Sequence, residues 1–152
     1  MEKTISFAKK HVWKVGAVVW YEFNGEKYFL AFNSISRPSR GTQIVRGKME
    51  AGETFEESIL RETAEELGKE VDMGKAFLLK TYEEYGYSDC QVYFSAKLKT
   101  PLDPKLEWEH IDLCPDDTQK LIWKSYKLSG DFSFLTRGQD KVVAEFYKQI
   151  NK

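Results

Sequence analysis

The sequence predicts an α/β fold in which strands and helices share one core. The first third of the chain is rich in β-branched and aromatic residues, a single amphipathic segment interrupts the strands near the middle, and the last third reads as helical. A chain of 152 residues is long enough to bury one such core. We therefore expect one domain over residues 1–152, organised as a mixed α/β sandwich.

Two strands are predicted first, over residues 12–21 and 27–32. Both are rich in β-branched and aromatic residues, and Asn24-Gly25 between them is a preferred two-residue hairpin turn. The polar segment 33–42 contains Pro and Gly, which predicts an exposed loop. The chain should then fold back towards its central segment.

The central segment combines short elements with one helix. Residues 43–45 predict a short strand and residues 47–52 a tight loop. Residues 54–57, Thr-Phe-Glu-Glu, match a capping box, which predicts a helix over 55–67 that Gly68 closes.

Strands and then helices complete the pattern. Residues 77–82 and 90–96 predict two strands around a turn at 85–89, and residues 106–113 predict one more. The remaining segments predict amphipathic helices over 116–128 and 138–150.

The composition excludes several kinds of protein. The charges balance, with 23 Lys plus Arg against 24 Asp plus Glu, so neither DNA nor a membrane surface is an expected partner. There is no signal-peptide pattern and no apolar run of membrane-spanning length, so a cytoplasmic location is expected. Cys90 and Cys114 lack a metal-binding spacing, and with only two histidines a zinc site is not expected.

One spaced motif dominates the functional reading. It runs Gly, five residues, Glu, seven residues, Arg-Glu, two residues, Glu-Glu, one residue, Gly. At about 7% per residue type, seven fixed placements would match by chance with a frequency of ~10⁻⁸. The residues are Gly47, Glu53, Arg61, Glu62, Glu65, Glu66 and Gly68.

Three of these glutamates share one side of the predicted helix. At about 100° per residue, Glu62, Glu65 and Glu66 point within one sector, beside the sector that carries the apolar residues. Like charges at this spacing repel, so a cation should compensate them. Clustered carboxylates without nearby Cys or His favour Mg²⁺ or Mn²⁺. The alternative is a solvated acidic helix face.

The presence of both Glu53 and Arg61 in the motif predicts a structural contact between them. A guanidinium can bind a carboxylate with two parallel hydrogen bonds, which would clamp the loop onto the helix. The alternative is an exposed pair one helical turn away, with Glu57 or Glu65.

The motif resembles the signature box of the Nudix hydrolases, Mg²⁺-dependent enzymes that cleave nucleoside diphosphates linked to another group. The resemblance covers residues 47–68 and implies an α-β-α sandwich with a mixed, strongly curved sheet. Thr63 and Lys69 depart from the pattern, because bulky aliphatic residues are usual there.

The resemblance also implies roles for particular residues. Glu62, Glu65 and Glu66 would be metal ligands, with the carbonyl of Arg46 as a further candidate. A further acidic residue often comes from a later loop, and Glu109 is the choice here. The weaker alternatives are Glu83, Glu84 and Glu107.

The implied reaction is attack of water on a phosphorus of a pyrophosphate linkage, with Glu65 or Glu109 accepting the proton. Some nearby cations could hold the phosphates, although surface charge also serves solubility. These cations are Arg37, Arg40, Arg46 and Lys48. The aromatic residues that could stack on a base are Trp13, Trp20, Tyr85, Tyr87 and Trp108.

The sequence thus predicts an Mg²⁺-dependent pyrophosphohydrolase of small nucleotides, monomeric or homodimeric. Few residues precede the first predicted strand, which by the resemblance favours a nucleoside triphosphate or dinucleoside polyphosphate over ADP-ribose. Two alternatives stay open: a nucleotide-binding sensor without turnover, and a hydrolase of RNA 5′ ends, against which the balanced charge counts.

Overall fold

A single mixed sheet forms the centre of the protein. The structure, a computed structural model, describes residues 10–84, 87–114, 118–136 and 138–151, with the side chains of 10–12, 82–84 and 87–89 left out. In the described part of the chain the sheet has eight strands, in the order β5-β6-β1-β2-β8-β7, with β3 beside β2 and β4 beside β1. Strands β1 and β6 are parallel and the other pairs are antiparallel.

The bounds of the elements are as follows. The strands are β1 (Lys10–Phe23), β2 (Glu26–Ser34), β3 (Thr42–Gln43), β4 (Val45–Lys48), β5 (Val71–Glu84), β6 (Tyr87–Leu98), β7 (Trp108–Asp112) and β8 (Gln119–Lys127). The helices are α1 (Phe55–Glu66) and α2 (Gln139–Ile150), and a 3₁₀ turn covers Pro38–Arg40. Neither helix in the described part of the chain has the length and apolar character of a membrane span.

The hairpin between β1 and β2 forms as the sequence predicts. Asn24 and Gly25 have φ angles of 51° and 81°, the left-handed values that a tight turn of this kind needs. Glu22 then pairs with Lys27 across the hairpin, which sets the register of both strands.

The two faces of the sheet carry separate apolar layers. Val15, Ala17 and Val19 of β1 pack with Ile59 of α1 in one buried cluster. Val18, which points to the opposite face, packs in a second cluster with residues of α2. The helices therefore cover opposite faces of the sheet, which confirms the predicted α-β-α sandwich.

Two predicted elements are wrong. Residues 119–127 of the predicted helix 116–128 form strand β8, in which Leu121 and Trp123 are buried at the two-residue period of a strand. Pairing on both sides, with β2 and β7, stabilises the extended form. Likewise, residues 47–52 are not all loop, because β4 extends to Lys48 and includes Gly47.

Helix α2 confirms the helix predicted over 138–150. Its first residue forms a hydrogen bond with a segment that is distant in the sequence. The Oε1 atom of Gln139, a fully buried residue, accepts a hydrogen bond of 2.8 Å from the backbone N–H of Ile44. That contact holds the start of α2 against the segment that leads into β4. The predicted turn residues Tyr85 and Gly86 lie outside the described residues.

Candidate active site

Helix α1 begins where its sequence predicts. The Thr54 hydroxyl accepts a hydrogen bond from the Glu57 N–H at 3.1 Å, and the Glu57 carboxylate accepts one from the Thr54 N–H at 2.9 Å. This capping box fixes Phe55 as the first helical residue. Ile59 and Leu67 then bury one side of the helix against the sheet, which leaves the acidic side at the edge of that contact.

The predicted contact between Arg61 and Glu53 is present. The Arg61 guanidinium donates to both Glu53 oxygens, at 2.6 and 3.0 Å, and to the Lys48 carbonyl at 3.0 Å. These hydrogen bonds lower the pKa of Glu53 to about 2. The Glu53 carboxylate also accepts from the Glu50 N–H at 2.8 Å, so both partners hold the loop between β4 and α1.

The same guanidinium also contacts the acidic cluster. Its Nη1 atom donates to Glu62 at 3.0 Å and to Glu65 at 3.2 Å. The one cation therefore serves the loop and the helix together, so the i,i+4 contact with Glu65 exists beside the clamp and does not replace it. On the far side of the cluster, Glu66 accepts a hydrogen bond of 3.3 Å from the Arg46 N–H.

Burial makes the acidic cluster electrostatically strained. Loss of water raises the pKa of Glu62 to about 7, even though Arg61 opposes the shift. Burial also raises the pKa of Glu66 well above its usual value, with Glu62 and Asp112 adding to the effect. Burial raises the pKa of Glu65 as well, and the charge of Asp112 adds to this shift although Arg61 opposes it. Arg61 alone does not balance these carboxylates.

A glycine allows the Glu62 carboxylate to approach the sheet. A Cβ atom at Gly47 would overlap the carboxyl group of Glu62, so a larger residue at this position of β4 would push that group away. Gly47 belongs to the predicted loop 47–52, but it lies in strand β4. Its place in the structure shows that close approach, rather than a turn, requires the glycine.

Two ring nitrogens hold the end of α1. His110 Nε2 lies 2.8 Å from the Glu65 carbonyl oxygen, which can only accept, so this nitrogen carries the hydrogen. Trp123 Nε1 donates to the Glu66 carbonyl at 2.9 Å. Both carbonyls belong to the last turn of the helix, where backbone acceptors lack partners within the helix. These contacts fix the backbone from which Glu65 and Glu66 project.

The acidic residue on the neighbouring strand is Asp112, not Glu109. Strand β7 alternates, so Trp108, His110 and Asp112 face inwards while Glu109 faces solvent. Glu109 pairs there with Lys120 at 3.2 Å. Asp112 is 5% exposed and lines the cleft that contains Glu62 and Glu66.

Glu107, one of the weaker acidic candidates, does not join the cluster. Glu107 pairs with Lys124 at 3.8 Å on the exposed side of the sheet. The side chains of Glu83 and Glu84 lie outside the described residues, as do those of Tyr85 and Tyr87.

The cleft has a volume of about 600 Å³ and carries charges of both signs. Three of the four predicted phosphate-binding residues, Arg40, Arg46 and Lys48, line it together with Glu62 and Glu66. Arg37 is not among the lining residues; its backbone N–H donates to the Ser34 hydroxyl at 3.0 Å. Lys14, which sequence reasoning did not single out, adds a further cation to the cleft.

Comparison with known proteins identifies this arrangement. The NUDIX domain profile matches residues 10–133, which include α1 and the strands around it. The chain belongs to the Nudix family. The prediction of a Nudix-type hydrolase acting on phosphoric anhydride bonds is thereby confirmed at the level of the family.

Solved Nudix structures share the fold at low sequence identity. An Ap4A hydrolase from C. elegans superposes with a TM-score of 0.66 at 20% identity, covering 93% of this chain and 98% of its own. The MutT protein from Methanosarcina mazei gives 0.64 at 21%, with 95% and 97% covered. The NUDIX domain of Shewanella oneidensis NrtR, solved with ADP ribose, gives 0.63 at 12%, with 93% and 90% covered. Curated protein sequences give no significant match.

Both departures from the Nudix pattern are accommodated locally. Thr63 is buried at the contact of α1 with the sheet, and its hydroxyl has no hydrogen-bond partner among the residues that the structure describes. The Lys69 ammonium lies 4.7 Å from the centre of the Trp108 ring, in a cation–π contact. Neither departure replaces a carboxylate, so the Nudix site keeps its acidic residues.

The chemistry of the cluster fits a hard divalent cation such as Mg²⁺. Its donors are carboxylate oxygens, and their raised pKa values mark negative charge for which a cation would compensate. Within the described ranges, the side chains as they stand form no group of three that could hold a metal ion, and Arg61 rests against two of the carboxylates.

The raised pKa of Glu62 predicts a pH-dependent stability for the metal-free protein. Its folded pKa, about 7, exceeds the usual 4.5, so the unfolded chain ionises first and stability falls as pH rises through this window. Glu62→Gln stays neutral. As the pH rises from 4.5 to 8, the free energy of unfolding of the variant, relative to that of the wild type, should therefore increase by on the order of 1–3 kcal/mol.

Urea denaturation in EDTA at several pH values measures this gap. A gap that does not widen with pH would mean that the Glu62 carboxylate is solvated in the folded state. Glu109→Gln, which alters an exposed carboxylate on β7, is the matched control and should show a constant gap.

Proposed function

We propose that the protein is an Mg²⁺-dependent pyrophosphohydrolase of small nucleotides, acting on nucleoside triphosphates or dinucleoside polyphosphates. The observation that carries this proposal is the charge pattern of one cleft. Carboxylates from α1 and β7 line it together with cations from β1 and β4. A phosphate chain bridged by a metal ion has charges that complement both sets of residues.

Within this mechanism, the buried carboxylates and the partly exposed one take different roles. Glu62 and Glu66 are 8% exposed each and would hold Mg²⁺ with Asp112, and Mn²⁺ could substitute for it. The bound ion would neutralise developing charge and lower the pKa of a water molecule. Glu65, whose side chain is 30% exposed, is left to accept the proton of the attacking water.

The phosphate chain would lie along the cationic wall. Arg46 and Lys48 follow one another on β4 around Gly47, and the neighbouring Lys14 pairs with Lys48 across the strands. Arg40, on the 3₁₀ turn, adds a charge from the other end of the cleft. As water bonds to one phosphorus, the bridging oxygen leaves with the second phosphate, and these cations would stabilise both products.

A substrate panel tests this proposal. Release of phosphate or pyrophosphate should be measured from nucleoside triphosphates, dinucleoside polyphosphates, nucleotide sugars and capped RNA, with Mg²⁺ and with EDTA. We expect Mg²⁺-dependent turnover of one of the first two classes. Turnover of capped RNA alone would contradict the proposed substrate class and favour a hydrolase of RNA 5′ ends. Absence of metal-dependent turnover of every compound would contradict the enzymatic function and favour a nucleotide-binding protein.

Asp112→Asn tests the acidic residue of β7 that lines the cleft. Asparagine keeps an oxygen that can accept the hydrogen bond of 3.1 Å from the Cys114 N–H, but it removes the charge. We expect kcat/KM to fall about 10- to 100-fold and the Mg²⁺ concentration for half-maximal rate to rise, as for the loss of a group that supports a metal site.

Glu109→Gln is the matched control, because it removes a carboxylate three residues away on the opposite face of β7. Its kinetics should match those of the wild type. Equal losses in both variants would contradict the placement of Asp112 and return Glu109 to the site.

Two expectations from the sequence accompany the proposal without further support. One is a cytoplasmic location, and the other is that residues 1–152 form a single domain. Monomer and homodimer are both compatible with a cleft built from one chain, and size-exclusion chromatography with light scattering distinguishes them.

A further inference from the structure

Trp13 is an aromatic residue whose side chain is exposed to solvent. Its side chain lies near the start of β1 and is 42% exposed, although tryptophan is usually covered in a protein of this size. One side of the ring rests on Phe55, with the ring centres 5.4 Å apart and the planes tilted by 59°. Phe55 is the first residue of α1, so a rigid element supports the indole.

The other described aromatic candidates are covered. Trp20 packs on Phe146 of α2, with the Lys97 ammonium 5.0 Å from its ring centre. Trp108 stacks on Trp123 at 6.1 Å, and Lys69 covers it from outside. Among the tryptophans, all of which lie in the described part of the chain, Trp13 is the one with a large exposed surface.

Trp13 borders a hollow that shares three lining residues with the candidate active-site cleft. The hollow has a volume of about 390 Å³ and is lined by Trp13 and residues 48–53. Lys48, Met49 and Glu50 line both the hollow and the cleft. The two spaces therefore meet along this short segment.

Backbone hydrogen bonds connect residues that line the hollow with residues that line the cleft. The Met49 N–H donates to the Trp13 carbonyl at 2.9 Å, and Lys14 pairs with Lys48. The Lys48 carbonyl in turn accepts from Arg61, which contacts Glu62. Neighbouring strands lie roughly 5 Å apart, so Lys48 lies close to the start of β1, and Arg61 links the Lys48 backbone with the acidic cluster.

The charges on the shared segment suit a phosphate chain. Lys48 is exposed, and its ammonium can reach a phosphate that crosses between the two spaces. Glu50 carries the opposing charge, but it lies 3.6 Å from the Arg61 guanidinium, which offsets it. An anionic chain leaving the cleft in this direction would end beside the exposed face of the indole.

We propose that Trp13 stacks on the second nucleobase of a dinucleoside polyphosphate, with the phosphate chain crossing Lys48 from the acidic cluster. The inference rests on the proposed function and narrows it to substrates that carry an aromatic group at each end of the chain. Stacking suits the site because every base offers a π-face to an indole held from behind. A nucleoside triphosphate, with a single base, would leave this hollow empty.

The test compares two substrates on matched variants. For Trp13→Ala, the ratio of kcat/KM for diadenosine tetraphosphate to kcat/KM for ATP should fall about 5- to 100-fold, the effect of losing one base stack. The loss should lie in KM, and Trp13→Phe should recover most of the ratio because it keeps an aromatic face. Trp20→Phe, at a covered position, should leave the ratio unchanged. An unchanged ratio in Trp13→Ala would overturn the proposal.

A binding measurement separates this proposal from the proposed function. A non-hydrolysable analogue of diadenosine tetraphosphate should be titrated calorimetrically, with Mg²⁺ present, into the wild type and Trp13→Ala, so that no turnover occurs. Weaker binding by Trp13→Ala supports the stacking site even if the wild type hydrolyses neither compound, an outcome that would reject the hydrolase alone. Hydrolysis of both compounds, with equal binding by both proteins, would reject the stacking site alone.

Discussion

Glu65→Gln should lower kcat about 100- to 10,000-fold at saturating Mg²⁺, the range expected for loss of a group that transfers a proton in the reaction. Glutamine has nearly the same shape and can still accept the hydrogen bond of 3.2 Å from Arg61, but it cannot take up a proton at neutral pH. The metal-free variant should unfold at the same temperature as the wild type or higher, because the substitution removes one charge from a self-repelling cluster. Thermal unfolding in EDTA and steady-state kinetics measure the two effects.

Glu56→Gln is the control for this prediction, since Glu56 lies on the first turn of the same helix and is exposed. It should keep wild-type activity. A Glu65→Gln enzyme that retains activity within a few fold would remove Glu65 from the reaction. A large fall in its unfolding temperature would instead give Glu65 a structural role.

Arg61→Ala should be the most destabilising substitution in the site. It removes hydrogen bonds to Glu53, Glu62 and the Lys48 carbonyl and leaves the Glu62 carboxylate buried without its cation. The free energy of unfolding should fall by roughly 2–3 kcal/mol, below the full cost of breaking a buried ion pair because the Arg61 side chain is 22% exposed. Activity should fall as well, because the end of β4 that carries Lys48, and the loop that follows it, lose their attachment to the helix.

Glu53→Gln distinguishes the clamp from a general charge effect. It should lower stability and loop order together but less than Arg61→Ala, because the single amide oxygen can still accept hydrogen bonds from Arg61 Nη2 and from the Glu50 N–H, while the bond from Arg61 Nε is lost. The comparison uses chemical denaturation and hydrogen exchange of the loop amides. Full stability in Arg61→Ala would show that the other carboxylate contacts hold the loop unaided.

The local parts of the site could be predicted because their partners are close in sequence. The capping box and the clamp depend on side chains that lie three and eight residues apart around one helix start, and the motif spacing is enough to place them. The first hairpin follows for the same reason, since Asn24 and Gly25 determine its turn. Such contacts do not depend on how distant strands pair.

The distant parts could not be predicted, because strand pairing decides them. Whether Glu109 or Asp112 faces the cleft depends on the register of β7 against β8, and a shift of one residue exchanges the two faces. Strand β8 lies in the segment that the sequence predicts as a helix. Its extended form depends on pairing with β2 and β7, which buries Leu121 and Trp123 and which the local sequence does not reveal. The hydrogen bonds from the His110 and Trp123 rings to α1 depend on the same pairing.

The claim that the α1 carboxylates hold the divalent cation on which hydrolysis depends is tested most directly by metal binding without nucleotide. Mn²⁺ titrations followed by electron paramagnetic resonance should be made on the wild type and on the triple variant Glu62→Gln, Glu65→Gln, Glu66→Gln, with circular dichroism to confirm that both are folded. We expect saturable binding by the wild type, displaced by Mg²⁺ and absent from the variant. Equal Mn²⁺ affinity in both proteins would contradict the claim.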